Sequence, residues 1–274
     1  MDFSIITPSY NYGHYISECL ASVAEQDGVT VEHLVMDAHS TDNTADVVAK
    51  FPHAQFFQEP DKGMSDGINK GFLKAKGKWV MWLNADDRLK PGALRAVKEF
   101  AENHPKVDVI YGCWNFMDAN GKFQRRMTLF PFVPGMISNY GCYIASTSTF
   151  FRRATTIAQG HLLNIRFKSV MDGEYYCRLN REGKRFKYFP RVLADFRLHD
   201  QSISQKNIGK KDISSVLAYQ LQLSESRASR RVYGIKLFKD EMLNCIIEAL
   251  LFHFYRIIRF LLRILYARKT IDAE

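Results

Sequence analysis

Six consecutive residues, Lys78–Leu83 (KWVMWL), constrain the fold more than any other feature of the chain. A run this short and this apolar has no face to give to water, so it reads as a strand buried on both sides. Such strands occur where helices cover both faces of a parallel sheet, and the flanking segments supply that pattern. Phe3–Thr7 and Val31–Met36 are β-prone, Phe56–Phe57 marks a third short strand, and Val107–Gly112 reads as a further one. Between them, helical patterns run over His14–Gln26, Thr41–Lys50, Ser65–Ala75 and Ala93–Asn103. Thr41 or Asp42 supplies an N-cap, and Pro91 stands at the start of the last helix. Repeated strand–helix–strand units imply an α/β fold with a doubly wound, mostly parallel, Rossmann-like sheet.

After Gly112 the pattern changes. Asp118-Ala119-Asn120-Gly121 is a hairpin signal, and Thr147–Phe151 and Val192–Arg197 look like further strands. The expected organisation is one α/β domain over 1–205, with a first half to about 112 and a second half over 113–205. A helical connector follows over 206–241, then a basic amphipathic helix and tail over 242–274.

A doubly wound sheet binds its ligand beyond the C-terminal ends of its strands. The residues to read for chemistry are therefore Thr7-Pro8-Ser9-Tyr10-Asn11, Asp37 and Asn84-Ala85-Asp86-Asp87. Two adjacent carboxylates with an amide two residues earlier supply hard oxygen ligands for Mg²⁺ or Mn²⁺, which bind through one or two carboxylates and substrate phosphates. The same letters equally describe a solvated turn in which Asp87 caps the next helix. Asp172 sits at the start of a helix running to Asn180 or Arg181 and ended by Gly183. It reads either as an N-cap or as a carboxylate fixed to accept a proton from a hydroxyl. His199 follows an apolar strand; it is either structural or completes a metal or phosphate site. Arg152 and Arg153 at a strand end are either anion-steadying or simply solvated.

Taken together, these blocks resemble glycosyltransferase family 2, with the GT-A fold, through most of residues 3–203. The resemblance rests on Thr7–Asn11, on Val35–Thr44 around Asp37, and on Glu59-Pro60-Asp61-Lys62-Gly63 with Asp66, Asn69 and Gly71. It continues in Asn84–Asp87, Ser146–Arg153, the Asp172 helix and Arg197-Leu198-His199. It implies an inverting transferase that moves a sugar from a nucleotide-sugar, most often a UDP-sugar, to an acceptor hydroxyl. Pro8 and Tyr10 would line the base pocket, and Asp37 would hydrogen-bond the nucleobase. Lys62 and Asp66 would border the nucleotide and donor sugar. Asn84 and Asp86 correspond to the two ends of the family's DXD metal motif, with Asp87 beside them and an amide in place of the first acid. Asp172 matches the catalytic base, although Met171 replaces the Glu that precedes it in the family. His199 matches a histidine that in some members holds the metal or the diphosphate. The same resemblance implies a hexosyl or N-acetylhexosaminyl donor and a saccharide or lipid-linked acceptor in bacterial surface polysaccharide or lipopolysaccharide synthesis.

The net charge of +9 calls for an anionic partner. More than half of that excess lies from Arg227 onward, within an otherwise apolar stretch, so nucleic acid is not the expected partner. In residues 242–266, Leu243, Ile246, Ile247, Leu250, Leu251, Phe254 and later apolar residues recur at helical spacing, with Arg256, Arg259 and Arg263 on the other side. A basic amphipathic helix suits an anionic membrane surface, while packing on the domain or on a second copy is the competing use. The start of the chain shows neither the basic nor the long apolar region of a signal peptide, and no apolar run reaches bilayer length. Five widely spaced cysteines without metal spacing read as buried thiols in a reducing compartment. The expected location is cytoplasmic, peripheral on the inner face of the cell membrane. Two competing readings remain. One is transfer to polyprenyl phosphate, which needs no general base; the other is a non-catalytic sugar-binding module. A nicotinamide enzyme is disfavoured because no GxGxxG follows the first strand.

Overall fold

The computed structural model describes residues 1–200, 213–233 and 241–266. Part of the expected connector, and the tail with Arg268 and Lys269, lie outside the described residues. Strand β1 (Phe3–Ser9) runs parallel to β2 (Val31–Asp37) on one side and to β4 (Trp79–Trp82) on the other. Strand β3 (Ala54–Gln58) extends this parallel set beyond β2. Helices α1 (Ile16–Ala24), α2 (Thr44–Val48), α3 (Met64–Lys74) and α4 (Ala93–Glu102) complete the first half.

Strand β4 explains why KWVMWL is apolar throughout. Its side chains alternate between two hydrophobic clusters, Val80 and Trp82 on one face, Trp79, Met81 and Leu83 on the other. None is more than 5% exposed. Each such side chain contributes about 1.5–3 kcal/mol by leaving water.

The second half joins the same sheet in a mixed arrangement. Its strands are β5 (Arg88–Leu89), β6 (Val109–Met117), β7 (Phe123–Met127), β8 (Thr149–Arg152) and β9 (Phe186–Arg197). The described residues form one nine-stranded sheet in the order β3-β2-β1-β4-β8-β6-β9-β5, with β7 paired to β6. Strand β8 is antiparallel to both β4 and β6, whereas β6 and β9 are parallel. The parallel character thus belongs chiefly to the first four strands.

Two strands are longer than the sequence suggests, for identifiable reasons. Gly112 looks like a strand end but lies inside β6, where a Cβ would meet Leu193 Cδ1 at 2.5 Å. Pro190 lies within β9, which the sequence starts only at Val192. Between the pairs Tyr111–Tyr188 and Cys113–Val192 the register shifts, so Pro190 sits in an irregularity that needs no ladder hydrogen bond. The Asp118–Gly121 turn joins β6 and β7, with Asp118 Oδ1 accepting from the N–H groups of Asn120 and Lys122 and Gly121 at φ +78°.

Four further helices follow: α5 (Met136–Asn139), α6 (Met171–Arg181), α7 (Ile213–Tyr233) and α8 (Glu241–Tyr266). The α8 stripe divides between two surfaces. Leu251, Ile258 and Leu262 pack against the main cluster, and Tyr255 is buried with its hydroxyl donating to Pro134 O. Leu250, Phe254, Ile257, Leu261, Ile264 and Leu265 are each more than half exposed. Among the described residues no helix is long and apolar enough to cross a membrane.

Candidate active site

The parallel register brings three strand ends out on one edge: Ile6 pairs with Trp82, and Ser9 with Asp37. The loops beyond β1 and β2 fasten to each other. Asn11 N–H donates to Ser40 Oγ, Thr41 N–H donates to Asn11 Oδ1, and Gly13 N–H donates to Asp42 Oδ2, all at 2.8–2.9 Å. Asn11 and His39 both adopt φ +58°, a left-handed conformation rare for residues with a Cβ. Such conformations persist only where neighbours over-determine them, and they cluster at ligand clamps. Gly13 is required because a Cβ there would collide with the Asn43 side chain and the Thr44 backbone nitrogen. Asp37, 1% exposed, accepts from Ser40 N–H and from Gln58 Nε2. Tyr10 projects from the loop at 58% exposure, and Pro8 is half-buried below it. Across the edge, Lys62 is exposed, and Asp66 Oδ2 accepts its N–H at 3.0 Å while pairing with Lys70.

The Asn84–Asp87 loop is not a solvated turn. Asp86 and Asp87 are 8% and 1% exposed. Asp87 Oδ1 accepts the Arg197 N–H at 2.9 Å, and Asn84 Nδ2 donates to Asp87 Oδ2 at 3.2 Å. Burial and the neighbouring Asp86 charge push the Asp87 carboxyl well above the usual carboxylate range, against the pull of the Arg197, Thr147 and Asn84 donors. Asn84 Oδ1 is buried with no hydrogen-bond partner. Asp86 Oδ2 lies 2.8 Å from His199 Nε2, and the His199 ring rests 4.6 Å from that of Tyr15. Among the described residues no group of three or more His, Cys, Asp or Glu side chains converges on a point.

Asp172 is the second residue of α6, whose N-cap is Val170, so it is not an N-cap. Its carboxylate accepts the N–H of Gly173, and burial raises its pKa above the ordinary value of 3.8. It lines a cavity of about 400 Å³ together with Tyr140, Cys142, Ser169 and part of α7. Asp86 is not among the residues around that cavity, but the two carboxylates stand on elements locked together. The Trp82 ring, two residues before Asn84, lies 6.4 Å from that of Tyr175 on α6, with Phe151 between them at 5.5 and 5.2 Å. On the other flank, Ser65 Oγ, one residue from Asp66, donates to Met171 Sδ at 2.9 Å. Met171 therefore serves as a joint where the resemblance implies a Glu.

The sequence model for "Glycosyl transferase family 2" matches residues 4–173. The chain belongs to this family. Among family members, a chondroitin synthase of Pasteurella multocida (strain Pm70) is 26% identical over 243 residues, covering 84% of this chain and 24% of its own. A hyaluronan synthase of Pasteurella multocida is 27% identical over 219 residues, covering 75% and 21%. The chain thus spans under a quarter of the length of these relatives. Among solved structures, residues 1–349 of S. aureus TarS in complex with UDP-GlcNAc superpose with a TM-score of 0.63 at 19% identity, over 85% of this chain and 74% of that one. The mannosyltransferase PcManGT from Pyrobaculum calidifontis, in complex with GDP-Man and Mn²⁺, superposes with 0.56 at 17% identity, over 97% and 86%. At such identities the likeness establishes the fold, which is GT-A.

The glycosyl transferase family 2 match stops one residue past Asp172, and several groups that build the site lie beyond it. Arg197, fully buried, donates to Asp86 O, Ala119 O and Glu18 Oε2, and so fixes the acidic loop. Glu225 on α7 accepts from three successive N–H groups, those of Lys168, Ser169 and Val170, at 2.8, 2.7 and 3.2 Å. Those residues lead directly into Asp172. The Tyr233 hydroxyl donates to Glu174 Oε1 at 2.7 Å, a second tie between α7 and α6. A long polar helix gives no signal for such contacts, because its partners are some 55 residues away. Arg152 and Arg153 do not steady a ligand at this edge. Their Nε–H groups donate to Val107 O and Gly77 O, and Arg152 covers the Trp79 ring at 4.7 Å, at the opposite end of β4.

Proposed function

We propose that the chain is an inverting glycosyltransferase that moves a sugar from a UDP-sugar to the hydroxyl of a saccharide or lipid-linked acceptor. The observation that supports this reading is the packing of Trp82, Phe151 and Tyr175, which joins the strand leading into the acidic loop to the helix that carries Asp172. Pro8, Tyr10 and Asp37 bound the base site, held open by the fastened loops. Lys62 and Asp66 border the diphosphate and donor sugar. Asp172, with its raised pKa, takes the acceptor proton as that oxygen attacks the anomeric carbon from the side opposite the diphosphate. The C–O bond to the diphosphate breaks as the new one forms, and the configuration inverts.

The donor set suits Mg²⁺ or Mn²⁺. Asp86 and His199 supply one carboxylate oxygen and one imidazole nitrogen already in contact, and two residues before Asp86 in the chain the Asn84 Oδ1 is buried without a hydrogen-bond partner. Two protein ligands leave the remaining positions to phosphate oxygens and water, as hard cations with diphosphate substrates prefer. When bound, the ion offsets the charge that develops on the leaving diphosphate. Asp87 then acts within the loop, holding its shape through Arg197 and Asn84.

The reading includes a cytoplasmic position, peripheral on the inner face of a bacterial membrane where surface polysaccharide is built. Its support is the exposed apolar face of α8, flanked by Arg256 and Arg263, with no acidic residue from 249 to 266. Flotation of the full chain with phosphatidylglycerol vesicles tests this; the triple variant Phe254→Asp, Ile257→Asp, Leu261→Asp should stay at the bottom of the gradient. If that variant instead converts a dimer to a monomer without changing flotation, a second copy occupies the face.

The catalytic reading is tested by screening nucleotide sugars for divalent-metal-dependent donor hydrolysis. One UDP-sugar turning over, and Asp172→Asn abolishing it, is the expected result. Undiminished turnover in Asp172→Asn would remove Asp172 as the base.

A further inference from the structure

The wall of the Asp172 cavity facing α7 is polar in an ordered way. Gln222, Ser226, Ser229 and Arg230 all line it, spaced i, i+4, i+7 and i+8, so one continuous face of the helix is turned inward. Serine and glutamine side chains suit a polyhydroxylated ligand, since each both donates and accepts. Glu225 lies on the same face, but its carboxylate is spent on the three N–H groups before α6.

Arg230 is the distinctive member. It is half-buried and lines the cavity, and among the described residues no carboxylate pairs with it. The acids around the cavity do not neutralise it. Glu174 is held by Arg178 at 2.9 Å and by the Tyr233 hydroxyl. The Asp172 carboxylate accepts the Gly173 N–H and forms no ion pair with Arg230. A half-buried guanidinium without a partner has paid part of its desolvation cost and recovers it when an anion arrives. A second positive charge stands just behind the wall, where Arg259 of α8 donates to the Tyr140 hydroxyl.

We propose that this cavity is the acceptor subsite and that it selects an acceptor bearing a negative charge, which Arg230 engages while Asp172 takes the proton from a nearby hydroxyl. The proposal rests on the assignment of Asp172 as base and adds the class of acceptor. A sugar carboxylate and a sugar phosphate share the chemistry that Arg230 recognises, a planar or tetrahedral oxyanion able to accept two parallel N–H bonds.

The test uses the full chain with the UDP-sugar found by donor hydrolysis, in the presence of D-glucose, D-glucuronate or D-glucose 6-phosphate. Donor consumption is followed as each hexose competes with water or replaces it as acceptor. The charged hexoses should act at concentrations about tenfold or more below that needed for glucose, as a charge-assisted hydrogen bond provides. Arg230→Gln should bring charged and neutral hexoses to within about twofold, and Arg230→Lys should restore part of the gap. Whichever charged hexose loses most in Arg230→Gln identifies carboxylate or phosphate as the natural anion. The idea is overturned if glucose acts as well as the charged hexoses, if no hexose acts at all, or if the preference survives in Arg230→Gln. A preference lost in Arg230→Gln alongside full turnover in Asp172→Asn would defeat the base assignment and leave the anion site standing.

Discussion

The two halves of the sheet build their shares of the site in different ways. In the first half, four parallel strands each end on the same edge and hand over a short loop. Every side chain that matters there lies within a few residues of its strand, between Pro8 and Asp87. In the second half, the strands are mixed in direction and the site is assembled across long sequence gaps. The backbone leading into Asp172 is held by Glu225 and Met171 by Ser65, 106 residues away, while Asp87 at the end of the first half is held by Arg197, 110 residues away. On the proposed function, a nucleotide diphosphate is met by local loop geometry, whereas the proposed base and acceptor wall depend on tertiary packing. Damage to the first-half loops, or to His199 where it meets Asp86, should therefore appear in donor or metal affinity, and damage to Asp172 and its supports in turnover.

The largest expected effect breaks that comparison most cleanly. Asp172→Asn should lower kcat by about 10²–10⁴-fold with little change in donor KM, read from steady-state donor turnover. The raised pKa adds a pH signature. The base works only when ionised, so activity should fall as pH drops through a value above 3.8, and that acidic limb should vanish with Asp172→Asn. Because ionising Asp172 costs the folded state, the same variant should not lower Tm at neutral pH. A large loss of Tm would recast Asp172 as a structural residue.

His199→Ala comes next. Apparent Mn²⁺ affinity, measured by titrating activity in metal-stripped enzyme, should weaken about 10–100-fold. An unchanged titration would remove His199 from the metal site and leave it as a partner that only orients Asp86.

Glu225→Gln sharpens the comparison by striking the base from outside the family match. It removes one of two acceptor oxygens from a nest of three N–H groups, so Tm should drop by the equivalent of about 1–3 kcal/mol. Loss of Asp172 positioning should cost roughly tenfold in kcat, short of the 10²-fold that a 1 Å misplacement can bring. Donor KM should stay constant; a change confined to KM would tie α7 to the donor instead.

The smallest effect belongs to Tyr10→Ala. An exposed ring that covers a nucleobase should cost about two- to tenfold in donor KM, with kcat and Tm unchanged.

The same asymmetry governs what the sequence could reveal. KWVMWL announced a doubly covered central strand because both of its faces are core, and Asn84–Asp87 was legible because it follows at once. Asp37, Asp86, Asp172 and His199 could be singled out by their places after strands or at a helix start. Arg197 was visible as a letter, but its four contacts to the acidic loop, the β6–β7 turn and α1 were not, because they join segments up to 179 residues apart. Glu225 and Arg230 sit on a helix whose sequence has no apolar stripe pointing elsewhere, so its inward polar face emerges only when the cavity is built. Pro190 concealed half of β9 because a proline argues against a strand unless an irregularity receives it.

The most direct test is a crystal structure of the chain with Mn²⁺ and the UDP-sugar that it hydrolyses. The account predicts an anomalous peak between Asp86 and His199, the uracil beside Asp37, and the donor's anomeric carbon turned toward the cavity that Asp172 lines. A nucleotide bound away from the Asn84–Asp87 loop, or an anomeric carbon with no path to Asp172, would contradict it.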